Sequence, residues 1–423
     1  MMEELSLIEL AKRGEISTTG QKPKLPTSIP NVNATMLEVY KIPLKYLYYN
    51  DENGRISSAV RNKLTPARDE ENADYNKFFE NAIFDDNASK LKRTKKSIAS
   101  KGQEIFGYVL QDGRVIDGNR RYTALRQIAR ETGQSQFFEA VILPITYDSK
   151  ASRTEIKRLE LAIQHGQEEK LSYDPLDWAV DIYETVEVNE LLTAEDYAHE
   201  ADEKLSDVKN RIEAIKIVRD FLKYINADVD NYQLIKDAKI FSAIEDTTKR
   251  FIKQYPNGGP KAEKAKVLLF NFMLTRIYAA SGDILKENRK FMDTVVKSGQ
   301  QDVFGEDSED AVEHIQDVLD EEKTTSIGEL QKRLDNTTND IRSFTQTYNA
   351  LNQRQSRGKN VDSFIDSVNS QITTLKDLIK DDGMSGQLTY DNFSRDQIRD
   401  LRDAMIQIKS LSQELSEIYE NEL

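Results

Sequence analysis

Asp117, Gly118, Asn119, Arg120 and Arg121 are the residues of this chain best equipped for chemistry. Two adjacent arginines, one residue removed from a glycine, set two planar guanidinium forks beside backbone amides that no glycine side chain shields. The run Val115-Ile116 before the box is apolar and strand-like, and Tyr122-Thr123-Ala124-Leu125 after it opens a helical pattern. The box therefore falls where a strand hands over to a helix N-terminus. The first amides of a helix and its dipole both favour an anion. The chemistry this predicts is phosphate binding. Arginines at a helix start also serve as plain solvated charge, so the rest of the chain must decide.

The elements that would position the box can be read from apolar periodicity. Asp112-Gly113 is a tight-turn dipeptide, and residues 105–110 and 114–116 flank it as a hairpin. Residues 36–47 and 137–147 alternate as strands, the second ending near Pro144. Residues 89–100 and 122–131 read as helices, the second closed by Gly133. Before all of this, residues 1–35 carry Pro23, Pro26 and Pro30 and read as an extended arm or linker. From about residue 151 the pattern is helical, interrupted by the loop signal Tyr255-Pro256-Asn257-Gly258-Gly259-Pro260. All nine prolines lie at or before Pro260, which suits a long helical region after it. The expected organisation is α+β: a mixed domain over 36–183, a helical domain over 184–299, an acidic linker over 300–325, and a helical module over 326–423. Within that module, amphipathic segments over 326–355, 360–382 and 394–421 have imperfect heptads. They suit antiparallel packing or a short coiled coil, hence a homo-oligomer or a docked protein partner.

Composition narrows the classes. Of 423 residues, 31% are charged and 38% apolar, the balance of a soluble protein of two or three domains. No apolar run approaches the roughly 20 residues of a membrane span, and the start Met1-Met2-Glu3-Glu4 has neither a basic flank nor an apolar core. These features predict a cytoplasmic protein with no membrane partner. The absence of cysteine excludes disulfides, thiolate metal sites and thiol nucleophiles. His165, His199 and His314 are the only histidines and show no metal-ligand spacing, so no metal site is expected. Net charge is −14, but residues 301–423 hold 26 Asp+Glu against 13 Lys+Arg, leaving only −1 for the first 300. The acidic balance thus argues against nucleic acid only in the C-terminal third.

In order and spacing, residues 40–180 resemble the N-terminal domain of the ParB family, whose fold is shared with sulfiredoxin. Asn53-Gly54-Arg55 looks like that family's first box, and Ser97-Ile98 with Gly102-Gln103 looks like its segment ahead of a strand. Gly118-Asn119-Arg120-Arg121 with Ala124 looks like its phosphate-binding Gly-x-Arg-Arg box. Leu161-Ala162-Ile163-Gln164-His165, with Pro175 downstream, looks like its third box, usually Glu-Asn-x-x-Arg. The resemblance covers a third of the chain. It implies a nucleoside triphosphate, CTP or ATP, as cofactor and a switch between open and clamped forms. It also implies a nucleotide site of Arg55, Gly102, Gln103, Asp117, Gly118, Asn119, Arg120, Arg121, Thr123, Gln164 and His165. Read from 161 to 165, the third box has lost its Glu, Asn and Arg. A shifted register puts Gln164 and His165 in the polar places but supplies no carboxylate for magnesium; Glu160, Glu168 and Glu169 lie near. Magnesium and NTP hydrolysis therefore stay open. Sulfiredoxin activity is excluded, because its cysteine has no counterpart here.

Partition proteins of that family carry a helix-turn-helix after the nucleotide domain, and 192–212 resembles one. Thr193 is placed to cap a first helix and Ser206 a second, whose exposed face would present Lys209, Arg211 and Lys216 to DNA. The electrostatics are poor, since 187–223 holds ten acidic and six basic side chains. The basic run from Lys90 to Lys101 offers another contact. The favoured reading is a nucleotide-responsive DNA-binding protein of phage or plasmid type. One rival is a nuclease or NTPase subunit of a phage-defence or mobile-element system. Its signature, Asp-Gly-Gln-Gln-Arg followed by Thr and Leu, is met at Asp117-Gly118, Arg121, Thr123 and Leu125. Another is a non-catalytic scaffold that keeps the fold. In that case Arg120 and Arg121 would be tied up in salt bridges rather than facing an open pocket.

Overall fold

In a computed structural model, the described residues are 6–25, 36–52, 60–61, 63–68, 72–166, 174–280, 282–357, 361–380 and 390–420, with the side chains of 164–166, 356–357, 361–364, 367 and 390 outside the description. The chain is α+β: a mixed sheet near the N-terminus, followed by helices. It divides into two compact units, 1–348 and 349–423.

The first unit opens with α1 (Leu7–Lys12) and β1 (Ser17–Thr18), then β2 (Val39–Pro43) and β3 (Tyr48–Tyr49). After them come α2 (Ala73–Lys101), β4 (Gly107–Leu110), β5 (Arg114–Asp117), α3 (Asn119–Thr132), β6 (Phe137–Leu143) and α4 (Lys150–Gly166). The strands line up as β1-β2-β6-β4-β5-β3, with β4/β6 and β3/β5 parallel and the other pairs antiparallel. Successive strand residues face opposite sides of a sheet, and here that alternation builds two cores. Val109, Val115, Phe138 and Ala140 pack with α1, α2 and α3 through Leu7, Phe79 and Tyr122. Tyr108, Ile116, Val141 and Leu143 pack on the other face against Ile156, Leu159 and Ile163 of α4. The β4–β5 turn depends on Gly113: its φ is +93°, and a Cβ there would lie 2.0 Å from the Tyr46 carbonyl oxygen.

Several expectations need correcting. The proposed strand over 36–47 is only β2, followed by a 3-10 turn at Leu44–Tyr46. Proline at 43 ends the ladder, and the chain crosses to the far edge of the sheet, where β3 pairs with β5. The helix expected at 89–100 begins at Ala73; a non-helical break at Asn87 conceals its first half. The N-terminal arm is structured in part, since Leu7 and Leu10 of α1 are buried and the Leu7 amide donates to the Gln111 carbonyl at 2.7 Å.

The unit continues through α5 (Pro175–Tyr183), α6 (Ala194–Glu200), α7 (Leu205–Tyr224), α8 (Tyr232–Ala238), α9 (Phe241–Gln254), α10 (Pro260–Ala279) and α11 (Ile284–Phe291). Where an acidic linker is expected, the chain forms α12 (Gln301–Asp307) and α13 (Glu309–Asp320), then α14 (Ile327–Leu334) and α15 (Thr338–Arg357). The acids line the outside, while Phe304, Ile315 and Leu319 are buried. The division between the units falls inside α15, after Tyr348, rather than at 325. Beyond it lie α16 (Val361–Lys380) and α17 (Arg395–Glu420); none of the α17 residues is buried.

Candidate functional site

The Gly118–Arg121 box lies where the sequence places it, at the handover from β5 to α3. Gly118 is the N-cap of α3, with φ +95°, and no side chain among the described residues caps the helix. The first turn contains no acid. A Cβ at Gly118 would stand 2.7 Å from Phe138 Cζ and 3.0 Å from Arg121 Nη2. Glycine is therefore needed both for the backbone angle and for the guanidinium that folds back over it.

Arg121 Nη2 donates to Asp117 Oδ2 at 2.9 Å and to the Phe106 carbonyl at 3.2 Å. Its Nε is buried with no hydrogen-bond partner among the described residues, and the same holds for Asn119 Oδ1. Arg120 is half-buried beside them. The box thus combines uncapped helix amides, two arginines and buried polar atoms with unmet hydrogen-bonding capacity, the chemistry of an oxyanion site.

The rest of the anticipated set divides. Gly102 ends α2 in a positive-φ conformation just ahead of β4. Yet the Gln103 amide acts as a surrogate strand residue: Nε2 donates to the Glu139 carbonyl at 2.7 Å, and Oε1 accepts from the Glu139 amide at 2.9 Å. It extends β4 along β6 rather than facing a ligand. Thr123 is fully buried, bonded to the Asn119 carbonyl at 2.8 Å and to the Tyr49 hydroxyl at 2.7 Å. It supports the first turn from beneath and has no access to solvent, which corrects its expected place among the ligands. Arg55 lies outside the described residues, as do the side chains of Gln164 and His165 and all of Glu168 and Glu169. Their neighbour Ile163 shares a core with Tyr108 and Ile116, so the end of α4 approaches the end of β5.

A buried ionic cluster escaped the sequence reading. Lys157 Nζ lies 2.6 Å from Asp181 Oδ1 and 3.5 Å from Glu160 Oε2, and the Tyr197 hydroxyl donates to Asp181 Oδ2 at 2.8 Å. Burial alone would lower the Lys157 pKa; the charges of Asp181 and Glu160 outweigh it and hold the ammonium charged. Lys157 and Glu160 stand one helical turn apart and could have been paired from sequence, but Asp181 joins only through the α4–α5 packing. The adjoining cavity, lined by Asn50, Glu52, Arg61 and Arg153 among others, encloses about 50 Å³. That suits a few waters, not a nucleotide. Glu160, a substitute magnesium ligand on sequence grounds, is committed to Lys157.

The expected DNA-facing helix is α7. Thr193 caps α6 as anticipated, accepting from the Asp196 amide at 3.0 Å. Ser206 does not cap α7; the N-cap is Lys204, and Ser206 lies within the helix. Each basic side chain is paired. Lys209 meets Glu195 at 3.0 Å, Arg211 meets Glu245 at 3.3 Å and Glu203 at 3.6 Å, and Lys216 meets Glu213 at 2.8 Å. Arg211 also lies over the Trp178 ring, 4.8 Å from its centroid. This face is electrically balanced.

No known protein family matches the chain, and neither does any curated protein. Among solved structures it is similar to the C-terminally truncated chromosome-partitioning protein ParB from Caulobacter crescentus. Against that protein complexed to the centromeric parS site, identity is 13%, coverage 59% of this chain and 98% of the other, and TM-score 0.30. Against the same protein complexed with CTP-gamma-S, the values are 14%, 50%, 92% and 0.18.

Proposed function

We propose that this protein binds a nucleoside triphosphate, CTP or ATP, at the start of α3, and that binding gates its contact with DNA or a protein partner. One observation carries the reading: a glycine N-cap with no side-chain cap, followed by two arginines, the second of which arches over the glycine with its Nε unbonded among the described residues. Phosphate oxygens would accept from the first amides of α3 and from the guanidinium forks. Arg121 would exchange Asp117 for phosphate, and the released Asp117 would change the charge at the end of β5. DNA contact through Lys209, Arg211 and Lys216 would require the same exchange of carboxylate for phosphate. The C-terminal helices would join copies of the chain or hold a protein partner. The resemblance of the four sequence boxes to the ParB family agrees with this reading.

Calorimetric titration of CTP, ATP and GTP, each with and without magnesium, tests it. One nucleotide should bind, and Arg121→Ala should weaken it at least tenfold, the scale of a lost charge-assisted hydrogen bond. No binding by any nucleotide overturns the reading.

A specific observation also favours a second reading, a scaffold without ligand. Arg121 is already paired with Asp117, and the Gln103 amide is spent on β6. Under that reading the titrations stay silent, and Arg121→Ala acts only on stability.

A further inference from the structure

Helices α2 and α3 pack side by side, and between them lies a groove of about 340 Å³ lined by Phe84, Lys92, Lys95, Gln127, Arg130 and Glu131. Residues 87–101, the second half of α2, contain six Lys or Arg and no Asp or Glu. Lys95 is paired with Glu131, and Arg130 holds the buried Glu80 at 2.8 Å while its side chain stays 57% exposed. Lys92, Arg93 and Lys96 are exposed and pair with no carboxylate among the described residues. This contrasts with α7, where every basic side chain of the expected DNA face is neutralised by a neighbour. Phe84 is 41% exposed at the groove, a large aromatic with a ring open to solvent.

We infer that this groove binds single-stranded nucleic acid. Strand-binding surfaces combine cations that follow the phosphates with an aromatic face on which a base stacks. Lys92 and Lys96 lie one helical turn apart, about 6 Å along α2, and so can contact successive stretches of one backbone. Phe84, on the other side of the break at Asn87, lines the same groove as Lys92 and supplies the stacking face. An acidic peptide would satisfy the lysines but would leave the exposed ring without a role. The groove stands apart from the nucleotide site: Arg130 lies nine residues beyond Arg121, about 14 Å along α3. The inference does not rest on the nucleotide reading.

The test is fluorescence anisotropy of a labelled oligo-dT with the full chain across a salt series. The wild type binds at low salt. Lys92→Glu with Lys96→Glu abolishes binding, and Lys92→Gln with Lys96→Gln lowers the slope of log K against log salt by about 1.4, two phosphates' worth for a single strand. Phe84→Ala weakens binding about tenfold, the effect of losing one stacked base. Circular dichroism confirms that each variant is folded. The absence of wild-type binding, binding unchanged in the lysine variants, or displacement by poly-glutamate as complete as by unlabelled oligo-dT overturns the inference.

Discussion

At the scale of single residues, the chemistry divides into groups that are spent and groups that are not. Glu80 is spent: nearly inaccessible on α2, it receives Arg130 at 2.8 Å and Arg126 at 3.3 Å from α3. Burial alone would raise its pKa, but the Arg130 hydrogen bond and the charges of Arg130 and Arg126 outweigh this and lower it. A carboxyl whose folded pKa is depressed adds stability above its unfolded pKa, about 4.3, and loses that contribution as pH falls through the folded value. Urea midpoints should therefore decline on acidification below about pH 4, the unfolded carboxylate range. Glu80→Gln should be less stable at neutral pH and show a shallower acid decline. Equal slopes for the two proteins would show that Glu80 does not drive it. Arg121 stands between the classes, held by Asp117 yet with Nε unbonded among the described residues, and the proposed phosphate contact rests on that intermediate state.

At the scale of elements, α12 and α13 show how composition misleads. Gln300 to Asp310 holds five acids and looks like a tether. In the fold it carries Phe304, fully buried against Phe291 at 6.0 Å and Phe344 at 5.1 Å between ring centroids. Spacing, not charge, decides: one large apolar residue per turn can anchor a helix whose other faces are solvated. Phe304→Ala should cost about 3–5 kcal/mol of unfolding free energy, read as a drop in urea midpoint. A loss below about 0.5 kcal/mol, the range for a surface substitution, would return the segment to linker status. The box element was easier to read, because Asp-Gly, Gly-Asn-Arg-Arg and Gly133 mark a turn, a helix start and a helix stop by local backbone chemistry alone.

At the scale of the whole molecule, charge and apolar surface are distributed unevenly. The first 300 residues are close to neutral overall, yet they contain the one long acid-free basic stretch on α2. The last 123 carry nearly all the net negative charge. Within the second unit, α17 exposes Ile398, Leu401, Met405, Ile408 and Leu415 at helical spacing, an apolar stripe that suits helix–helix association. If it joins copies, light scattering of the full chain should give a multiple of 48.5 kDa, and Met405→Glu with Ile408→Glu should reduce it to the monomer mass. A wild-type monomer at every concentration would remove self-association through α17.

The sequence by itself determined what is local. It marked the Asp-Gly hairpin, the strand-to-helix arginine box, the stop at Gly133, the helical character after residue 151 and the exclusion of thiol chemistry. Each follows from backbone preference, periodicity or composition, which neighbours in space do not alter. Only the tertiary structure decided which polar groups remain available. Thr123 and Gln103 looked like ligands but are consumed by Tyr49 and by the Glu139 backbone. Lys209, Arg211 and Lys216 looked like a DNA face but are matched by acids, of which Glu195, Glu203 and Glu245 come from outside α7. Lys92 and Lys96, in a run that reads more readily as a solvated helix face, pair with no carboxylate among the described residues, and Lys92 shares a groove with an exposed ring. Hydrogen-bonding capacity is finite and is claimed by whatever packing brings within about 3 Å, and that assignment is made across the fold, not along the chain.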